Sequence, residues 1–414
     1  MTKLLFLKKN YFYIIIFFLS FLFLNNSFAN TVTLKSAGAL AFDNKNTLFV
    51  GDQKSGLVHA FELDKEILND QSDYVFGRAQ TFEGRTISYD LTKDIGELLK
   101  VPSSEIIIND IVVHKPTKQI FLSVHNRKGP EAEGFIIKLD NGNLNLVDLS
   151  FAKHSTQSIG TVSENAKLEF GQNLNSFAIT DIDYYEGELF VAGVSNEEFS
   201  SKLRRFAYPF NNNYSVSSTE IWHAVHAQFE TRAPIITQTI TEINGEATLI
   251  AVYACTPIVT IPLSEIKDGA LVRGKTVGEL GFGNTPIDII NYTNLWDGSN
   301  NFLITNTNRS ATQIPFNALV NAEEMPNGEG VKPLFAVGGV EQYQIPLTGV
   351  LHLDTIDETY AITVRQSSVD TGVLELHSIP MPMFFDRSDH IVEMNWPNGP
   401  DPFGYNSAPK LTFN

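Results

Sequence analysis

One two-strand phrase recurs six times along this 414-residue chain. Each copy has an apolar strand, a turn rich in Asp, Asn, Gly or Glu, and a second apolar strand with a polar end. The copies read GALAFDNKNTLFVGDQ, NDIVVHKPTKQIFLSVHN, TDIDYYEGELFVAGVSN, ITQTITEINGEATLIAVYAC, IDIINYTNLWDGSNNFLITNTN and TGVLHLDTIDETYAITVRQ. Repetition on this scale predicts one small sheet per copy, stacked on its neighbours so that the apolar faces are buried.

A third apolar segment follows each pair, and several intervals carry a fourth, namely TISYDL, LNLVDLS, SVSSTEIW and KTVGEL. Four strands repeated six times predict an all-β chain that forms a six-bladed β-propeller of four-stranded antiparallel blades. The second strands are predicted to begin near Leu48, Ile120, Leu189, Leu249, Phe302 and Tyr360. Their irregular spacing indicates insertions between strands.

One insertion, TKDIGELLKVP, has the pattern of a short amphipathic helix with Thr92 as its cap. A propeller must also close its ring, because an open sheet edge invites pairing with other chains. We predict closure by the chain ends, with TVTLKS near the N-terminus or HIVEMNW near the C-terminus supplying the last outer strand.

The first 29 residues have the plan of a secretory signal peptide. Lys3, Lys8 and Lys9 precede an apolar run, and Ser27-Phe28-Ala29 predicts cleavage before Asn30. The run is shorter than the roughly 20 apolar residues that cross a bilayer, which disfavours the alternative of an uncleaved anchor. We therefore predict one propeller domain at 30–394, a Pro- and Gly-rich tail at 395–414 that could help to close the ring, and a periplasmic or extracellular location.

The net charge of the full chain is -17, and loss of the three leader lysines makes it more acidic. Such a chain repels phosphate backbones and anionic lipid surfaces, so we expect neither a nucleic-acid partner nor a membrane partner after cleavage. The only cysteine is Cys255, so stability must come from a buried core instead of internal disulfides. We expect a monomer that binds a small molecule or an exported protein.

The strand phrase with its Gly or Asp turns resembles the NHL and gluconolactonase-like six-bladed propellers, at the level of architecture and along the whole chain after the leader. The resemblance implies the fold, and no stretch carries over that superfamily's catalytic residues. The phrases ITDIDYYEGELFVAGVSNEEF and YACTPIVTIPL are also similar to a group of exported bacterial propeller proteins, which implies a compartment and a shape.

In a propeller, the starts of the innermost strands and the ends of the second strands gather at one mouth of the central channel, where function concentrates. This rule predicts a ligand-binding set of Asn109, Asp110, His125, Asn126, Asp181, Asn196, Glu197, Asp288, Asn306, Asn308, Arg309 and Arg365. Convergent carboxylate and amide oxygens suit a hard divalent cation such as calcium. The alternative is that these side chains only satisfy backbone amides at turns.

The segment IWHAVHAQFETRAP, residues 221–234, suggests a second candidate site. On one helical turn His223 and His226 would share a face, and Glu230 could complete a metal shell. Cys255 is predicted near them, and with it the site would favour copper or zinc over calcium. The alternative is that one histidine packs under the loop, Glu230 pairs with Arg232, and Cys255 is a small buried hydrophobe.

The sequence contains no G-x-S-x-G, P-loop or H-E-x-x-H motif. The polar mouth therefore favours a binding protein for a small molecule, a metal ion or a protein partner. One alternative is a metal-dependent lactonase or esterase, in which an ion held by Asp110, Asp181 and Asp288 polarises an ester carbonyl. A second alternative is an interaction scaffold that uses the insertion at 65–104 and the segment PFNNNYS.

Overall fold

The structure, a computed structural model, describes residues 32–381 except 78–83, 128–132, 161, 163–166, 168–170, 172, 212–213, 295–296, 327–330, 332–335, 368–369 and 371. The predicted signal peptide, the tail at 395–414 and the segment HIVEMNW lie outside the described residues. Within the described ranges, no helix has the length and apolar character needed to cross a bilayer.

Strands account for most of the regular structure. In chain order they are β1 Leu40–Phe42, β2 Thr47–Asp52, β3 Leu57–Glu62, β4 Thr86–Ser88, β5 Ile106–His114, β6 Gln119–Asn126, β7 Gly134–Asp140, β8 Asn143–Leu146, β9 Lys153–Ser158, β10 Asp181–Tyr185, β11 Glu188–Val194, β12 Ser201–Ala207, β13 Tyr214–His223, β14 Gln228–Glu230, β15 Ile235–Ile243, β16 Glu246–Tyr253, β17 Pro257–Pro262, β18 Leu271–Arg273, β19 Lys275–Glu279, β20 Pro286–Thr293, β21 Asn300–Asn306, β22 Ala311–Pro315, β23 Gly338–Gly339, β24 Tyr343–Ile345, β25 Val350–Thr355, β26 Tyr360–Gln366 and β27 Leu374–Pro380. The helices are α1 Leu91–Leu99 and α2 Phe316–Val320, with short 3-10 turns at Ser103–Glu105, Leu174–Phe177 and Leu263–Glu265.

The strands form six sheets, which are the blades of a six-bladed β-propeller. Blade 1 holds β1, β2, β3 and β9, blade 2 holds β5 to β8, and blade 3 holds β10 to β14 with β18 at its side. Blade 4 holds β15, β16, β17, β19 and β23, blade 5 holds β20, β21, β22 and β24, and blade 6 holds β25, β26, β27 and β4. The predicted fold class is confirmed, and the six predicted second strands are β2, β6, β11, β16, β21 and β26.

The blades do not follow chain order around the ring. The innermost strands contact one another in the order β5, β1, β10, β15, β20, β25, and β25 returns to β5. Six apolar clusters fill the six interfaces in the same order; for example, Leu48 of blade 1 packs with Phe121 of blade 2, and Phe49 of blade 1 packs with Leu189 of blade 3. Blade 1 therefore lies between blades 2 and 3.

Ring closure differs from the prediction that a chain end supplies the last strand. The outer strand of blade 6 is β4, which follows blade 1 in sequence and pairs with β27, whereas β9 follows blade 2 and completes blade 1. In the described part of TVTLKS, residues 32–36, the strand pairing is limited to an isolated bridge between Leu34 and Gly134. Because β9 already covers the edge of blade 1, the TISYDL segment pairs with the open edge of blade 6 instead.

The insertion that carries β4 is built into the ring. Helix α1 is capped by the carboxylate of Asp90, which accepts a hydrogen bond from the backbone N–H of Lys93 at 3.1 Å. The predicted cap, Thr92, is instead the second residue of the helix, and its hydroxyl donates a hydrogen bond to the Asp90 carboxylate. Leu91 and Ile95 are fully buried in the cluster between blades 2 and 6. The helix thus packs between blades 2 and 6, where the ring closes.

Candidate functional site

Four aspartates tie neighbouring innermost strands together around the central channel. Each carboxylate accepts one hydrogen bond from the backbone N–H of the following residue and one from the innermost strand of the adjacent blade. The bonds between blades join Asp110 to Leu40 at 2.7 Å, Asp181 to Gln238 at 2.7 Å, Asp288 to Leu353 at 2.9 Å and Asp354 to Val113 at 2.8 Å. These aspartates therefore do satisfy backbone amides, and they do so between blades.

The same carboxylates line a cavity of about 420 Å³ on the channel axis. Asp183 adds a fifth carboxylate to its wall, and the buried Oδ2 of Asp183 has no hydrogen-bond partner among the described residues. The cavity extends to the turns at 43–44 and 115–116, where the innermost strands end. It therefore reaches toward the side of the ring opposite the predicted mouth, which was placed at the starts of these strands.

Burial and mutual repulsion make the charged forms of these carboxyl groups costly. Burial, reinforced by the charge of Asp181, raises the pKa of Asp110 and of Asp183 well above the usual range. Burial also raises the pKa of Asp181, to about 6. The channel therefore favours protons or a cation that would offset the negative charge.

His352 faces the same part of the channel. Its imidazole Nε2 lies 3.2 Å from the carbonyl oxygen of Ile108, and burial lowers the pKa of His352 to about 4. The ring is thus neutral at physiological pH, and its Nδ1 has a lone pair if Nε2 donates to the carbonyl. One ligand atom from each of Asp110, Asp288 and His352 lies within 4.8 Å of the others, a separation that a single metal ion can span.

Three residues of this channel group were not predicted. Asp183, His352 and Asp354 lie beyond the first residues of their innermost strands, whereas only the strand starts were considered. Asp183 follows Asp181 by two positions, and Asp354 follows His352 by two. Because a strand alternates its faces with a period of two, this spacing was the signal that could have found them.

The other predicted mouth residues do not line the cavity. Their contacts are local: Asn109 donates to the Ala37 carbonyl, His125 lies 3.1 Å from the Lys54 ammonium, Glu197 pairs with Lys202, Asn306 donates to the Ser310 carbonyl, Asn308 donates to the Gly283 carbonyl, Arg365 is buried, Asn126 and Arg309 are half-buried, and Asn196 is exposed. The structure therefore brings together Asp110, Asp181 and Asp288 but does not gather all twelve predicted residues into one site.

The segment 221–234 folds as a β-hairpin. Strands β13 and β14 pair with Ile221 opposite Glu230 and His223 opposite Gln228. The turn between them includes a backbone bond from the N–H of His226 to the carbonyl of His223, at 3.1 Å. This turn brings the rings of His223 and His226 to a centroid distance of 3.8 Å. Both imidazoles therefore lie beside Glu230, as predicted for one helical turn, although a hairpin turn supplies the geometry.

Cys255 meets this hairpin from the turn that follows β16. Its Sγ lies 3.8 Å from Nε2 of His226, and Nδ1 of His226 lies 2.6 Å from a carboxylate oxygen of Glu230. The fully buried Glu279 fastens the two turns together. It accepts hydrogen bonds from the backbone N–H of Ala224 at 2.8 Å and from the hydroxyl of Thr256 at 2.5 Å.

His223 is held as a cation. Its two ring nitrogens lie 2.8 Å from the Glu230 carboxylate and 2.9 Å from the Cys255 carbonyl. Both partners only accept hydrogen bonds, so the ring must be protonated on both nitrogens to donate to both. Burial alone would lower the pKa of His223, but the bonds to Cys255 and Glu230 outweigh burial and raise it to about 10.

This protonation state bears on the predicted metal shell. A doubly protonated His223 has no lone pair for a metal, so Sγ of Cys255 and Nε2 of His226 remain as the available donors beside Glu230. The alternative drawn from the sequence matches in one respect, since His223 does pack beneath the turn. The predicted pairing of Glu230 with Arg232 is wrong, because Glu230 bonds to the two histidines and Arg232 donates to the Glu198 carbonyl.

The buried imidazolium predicts a specific pH dependence of stability. The folded pKa of His223, about 10, exceeds the unfolded value of about 6.5. Its stabilising contribution is therefore fully present below pH 6.5 and is lost as the pH rises through 10. We expect the urea-derived free energy of unfolding to fall between pH 6.5 and pH 9.5 by at least about 1 kcal/mol more in the native protein than in His223→Gln. Equal losses in the two proteins would mean that the ring is neutral.

No protein-family model matches the chain, and no curated protein matches it. Among solved structures, the chain is similar to a luciferin-regenerating enzyme at 9% identity and a TM-score of 0.34, over 84% of this chain and 91% of that one. It is also similar to extracellular domains 1–2 of Drosophila Semaphorin 1b at 8% identity and a TM-score of 0.36, over 84% of this chain and 86% of that one. Such distant similarities carry no information about activity, and the NHL and gluconolactonase-like resemblance stays a prediction.

Proposed function

We propose that the protein is an exported binding protein whose central channel takes a divalent metal ion, with room beside the ion for water or a small oxygen-bearing ligand. The observation that carries the proposal is that one ligand atom each from Asp110, Asp288 and His352 lies within 4.8 Å of the others, with both aspartates on the wall of the carboxylate-lined cavity. The leader pattern at 1–29 supports export.

The charge around the cavity supports a cation. Among the described residues that line the cavity, Lys115 is the only Lys or Arg, and its ammonium pairs with Asp354 at 2.7 Å. Burial raises the pKa of Asp110, Asp183 and Asp288 well above the usual range, and repulsion from neighbouring carboxylates adds to this rise. A bound divalent ion would replace this repulsion with attraction.

The structural bonds of the aspartates leave room for coordination. Each oxygen of Asp110 accepts one backbone hydrogen bond, Oδ1 from Ile111 and Oδ2 from Leu40. A carboxylate oxygen has two lone pairs, so a second one stays available. The same holds for Asp288, whose oxygens accept from Ile289 and Leu353. One side chain can therefore join two blades and bind an ion.

The donor set refines the choice of metal. Calcium, predicted from the sequence, takes oxygen ligands almost exclusively. A neutral imidazole such as that of His352 suits zinc, and carboxylates such as those of Asp110 and Asp288 suit manganese. Two carboxylates with one imidazole therefore favour Mn²⁺ or Zn²⁺ over Ca²⁺, with open positions for water or a bound molecule.

Asp183 favours a second candidate function, the metal-dependent lactonase or esterase. Burial raises the pKa of its carboxyl group, and one of its oxygens on the cavity wall has no hydrogen-bond partner among the residues that the structure describes. A group of this kind can move a proton beside a metal-polarised carbonyl or water. Metal-dependent turnover of a lactone or ester, lost in Asp183→Asn, would support catalysis in place of binding alone.

Metal binding can be separated from the structural role of the aspartates. We expect the chelator-treated protein to bind one Mn²⁺ or Zn²⁺ by calorimetry, and Asp288→Asn to weaken binding at least about tenfold, or about 1.4 kcal/mol. Asp354→Asn is the matched control, because Asp354 also joins two blades but is not among the three clustered ligands. We expect it to keep its affinity within about threefold.

Two results would contradict the proposal. One is the absence of saturable binding for Mn²⁺, Zn²⁺, Ca²⁺ and Mg²⁺ at millimolar concentration. The other is an equal loss of affinity in Asp288→Asn and Asp354→Asn, because an equal loss would trace the effect to weakened contact between blades.

A further inference from the structure

A second group of reactive side chains lies between blades 3 and 4, and none of them lines the channel cavity. We call Cys255, His226 and Glu230 the thiol site. The sulfur lies 3.8 Å from Nε2 of His226, and a Glu230 oxygen lies 2.6 Å from Nδ1 of the same ring. A thiol, an imidazole and a carboxylate therefore stand in series, each within reach of the next.

The carboxylate fixes which nitrogen of His226 carries the proton. Glu230 is ionised, because hydrogen bonds from His223, Gln228 and His226 outweigh burial and lower the pKa of Glu230 to about 2. An ionised carboxylate only accepts, so Nδ1 of a neutral His226 must donate to it, and Nε2 keeps its lone pair. That lone pair is the one next to the thiol of Cys255. The ring can thus accept the thiol proton, and Glu230 would stabilise the imidazolium that results.

The backbone at the cysteine is unusual and firmly held. Cys255 has φ of 62° and Thr256 has φ of 113°, values that residues other than glycine rarely adopt. Such strain persists only where the surroundings impose it, and it concentrates at functional sites. Here the carbonyl of Cys255 is bound by buried His223, and Thr256 is bound by buried Glu279.

The surroundings also set this cysteine apart from a thiol that only fills space. It is half-buried, and its neighbour His226 has a side chain that is 36% exposed. The thiol site therefore borders solvent at the His226 ring. Buried filler cysteines lie among apolar groups and are inert, whereas reactive ones are partly exposed and lie beside histidines or other cations.

We propose that Cys255 is a nucleophile for small acyl compounds, namely thioesters and activated esters. Sγ forms a bond to the acyl carbon while His226 takes the thiol proton. The bond from that carbon to the leaving oxygen or sulfur breaks, and the leaving group takes the proton from His226. Water then attacks the acyl-cysteine, with His226 accepting its proton, and the carboxylic acid and the free thiol are regenerated. Glu230 is a positioning residue, which acts through His226.

The test uses p-nitrophenyl acetate and the purified full chain. We expect a burst of p-nitrophenol equal to one per chain and an acetyl group on Cys255 by peptide mass mapping. The rate of acylation is expected to fall at least about 100-fold in His226→Gln. In Glu230→Gln we expect a smaller fall together with a displaced pH–rate profile, which a merely structural role of Glu230 would not produce.

The unfolded protein supplies a control that does not depend on any variant folding. In urea the single cysteine of the chain has no neighbours, so its rate with p-nitrophenyl acetate at the same pH is the baseline. The proposal requires the folded protein to react faster than this baseline. A folded rate at or below the baseline, or an unchanged rate in His226→Gln, would overturn it. So would zinc or copper found at the site with reactivity appearing only after chelation, because Cys255 would then be a metal ligand.

Discussion

Replacement of Glu279 by alanine is expected to lower the free energy of unfolding by about 4 kcal/mol. The carboxylate is fully buried and accepts from the backbone N–H groups of Ala224 and Val225 and from the hydroxyl of Thr256. Alanine would leave these three donors buried without a partner, at about 1–3 kcal/mol each when no water replaces the carboxylate. Urea denaturation followed by tryptophan fluorescence measures the effect.

Two variants bracket this expectation. Glu279→Gln keeps an amide oxygen that can accept from Ala224 and Val225, so we expect it to lose less than half as much stability. Glu265→Ala removes an exposed glutamate and is expected to change stability by no more than about 0.5 kcal/mol. A loss below about 1 kcal/mol in Glu279→Ala would mean that the two turns are held together by other contacts.

Gly84 is the second position where a small change is expected to have a large effect. A Cβ at this residue would lie 1.6 Å from the carbonyl oxygen of Ser378, where the segment leading into β4 meets β27. Since backbone cannot move aside as a flexible side chain can, Gly84→Ala should push β4 away from blade 6. We expect a loss of about 3 kcal/mol in unfolding free energy, with faster proteolysis between residues 84 and 104.

The matched control is Gly338→Ala. The three described atoms nearest to an added Cβ there belong to side chains, and the closest lies 3.3 Å away on Val331. We expect a loss of no more than about 1 kcal/mol and no change in proteolysis near residue 84. If the two alanine variants behave alike, the pairing of β4 with β27 does not hold the ring closed.

The strand pairs could be predicted from the sequence because they are local. Each hairpin is specified by alternating apolar residues and a turn a few residues long, as in β10 and β11 around the turn at 186–187. The ring order could not be predicted in this way. Strand β4 has only three residues, and β9, KHSTQS, consists of polar residues. They pair with their neighbours through backbone hydrogen bonds, so no pattern of side chains identifies the strand with which each one pairs.

In the candidate sites as well, local features could be predicted from the sequence and contacts between distant residues could not. Asp110, Asp181 and Asp288 could be predicted because each precedes an apolar segment in the sequence, although β5 begins four residues before Asp110. Their bonds to the adjacent blade depend on distances around the ring, which no local pattern encodes. For the thiol site, topology predicted that Cys255 lies near the histidines. The protonation of His223 could not be predicted, because it follows from a carbonyl and a carboxylate that meet it only in the folded chain.

The strand exchange near the N-terminus has a consequence for how the chain acquires its structure. Thr86 and His377, which meet where β4 joins β27, are 291 residues apart in sequence. During synthesis, Thr86 leaves the ribosome long before His377, so the edges of β4 stay unpaired until most of the chain has been made. Contacts of such long sequence separation form slowly. The unpaired edge of β4 is therefore the part of the folding chain that a chaperone would bind.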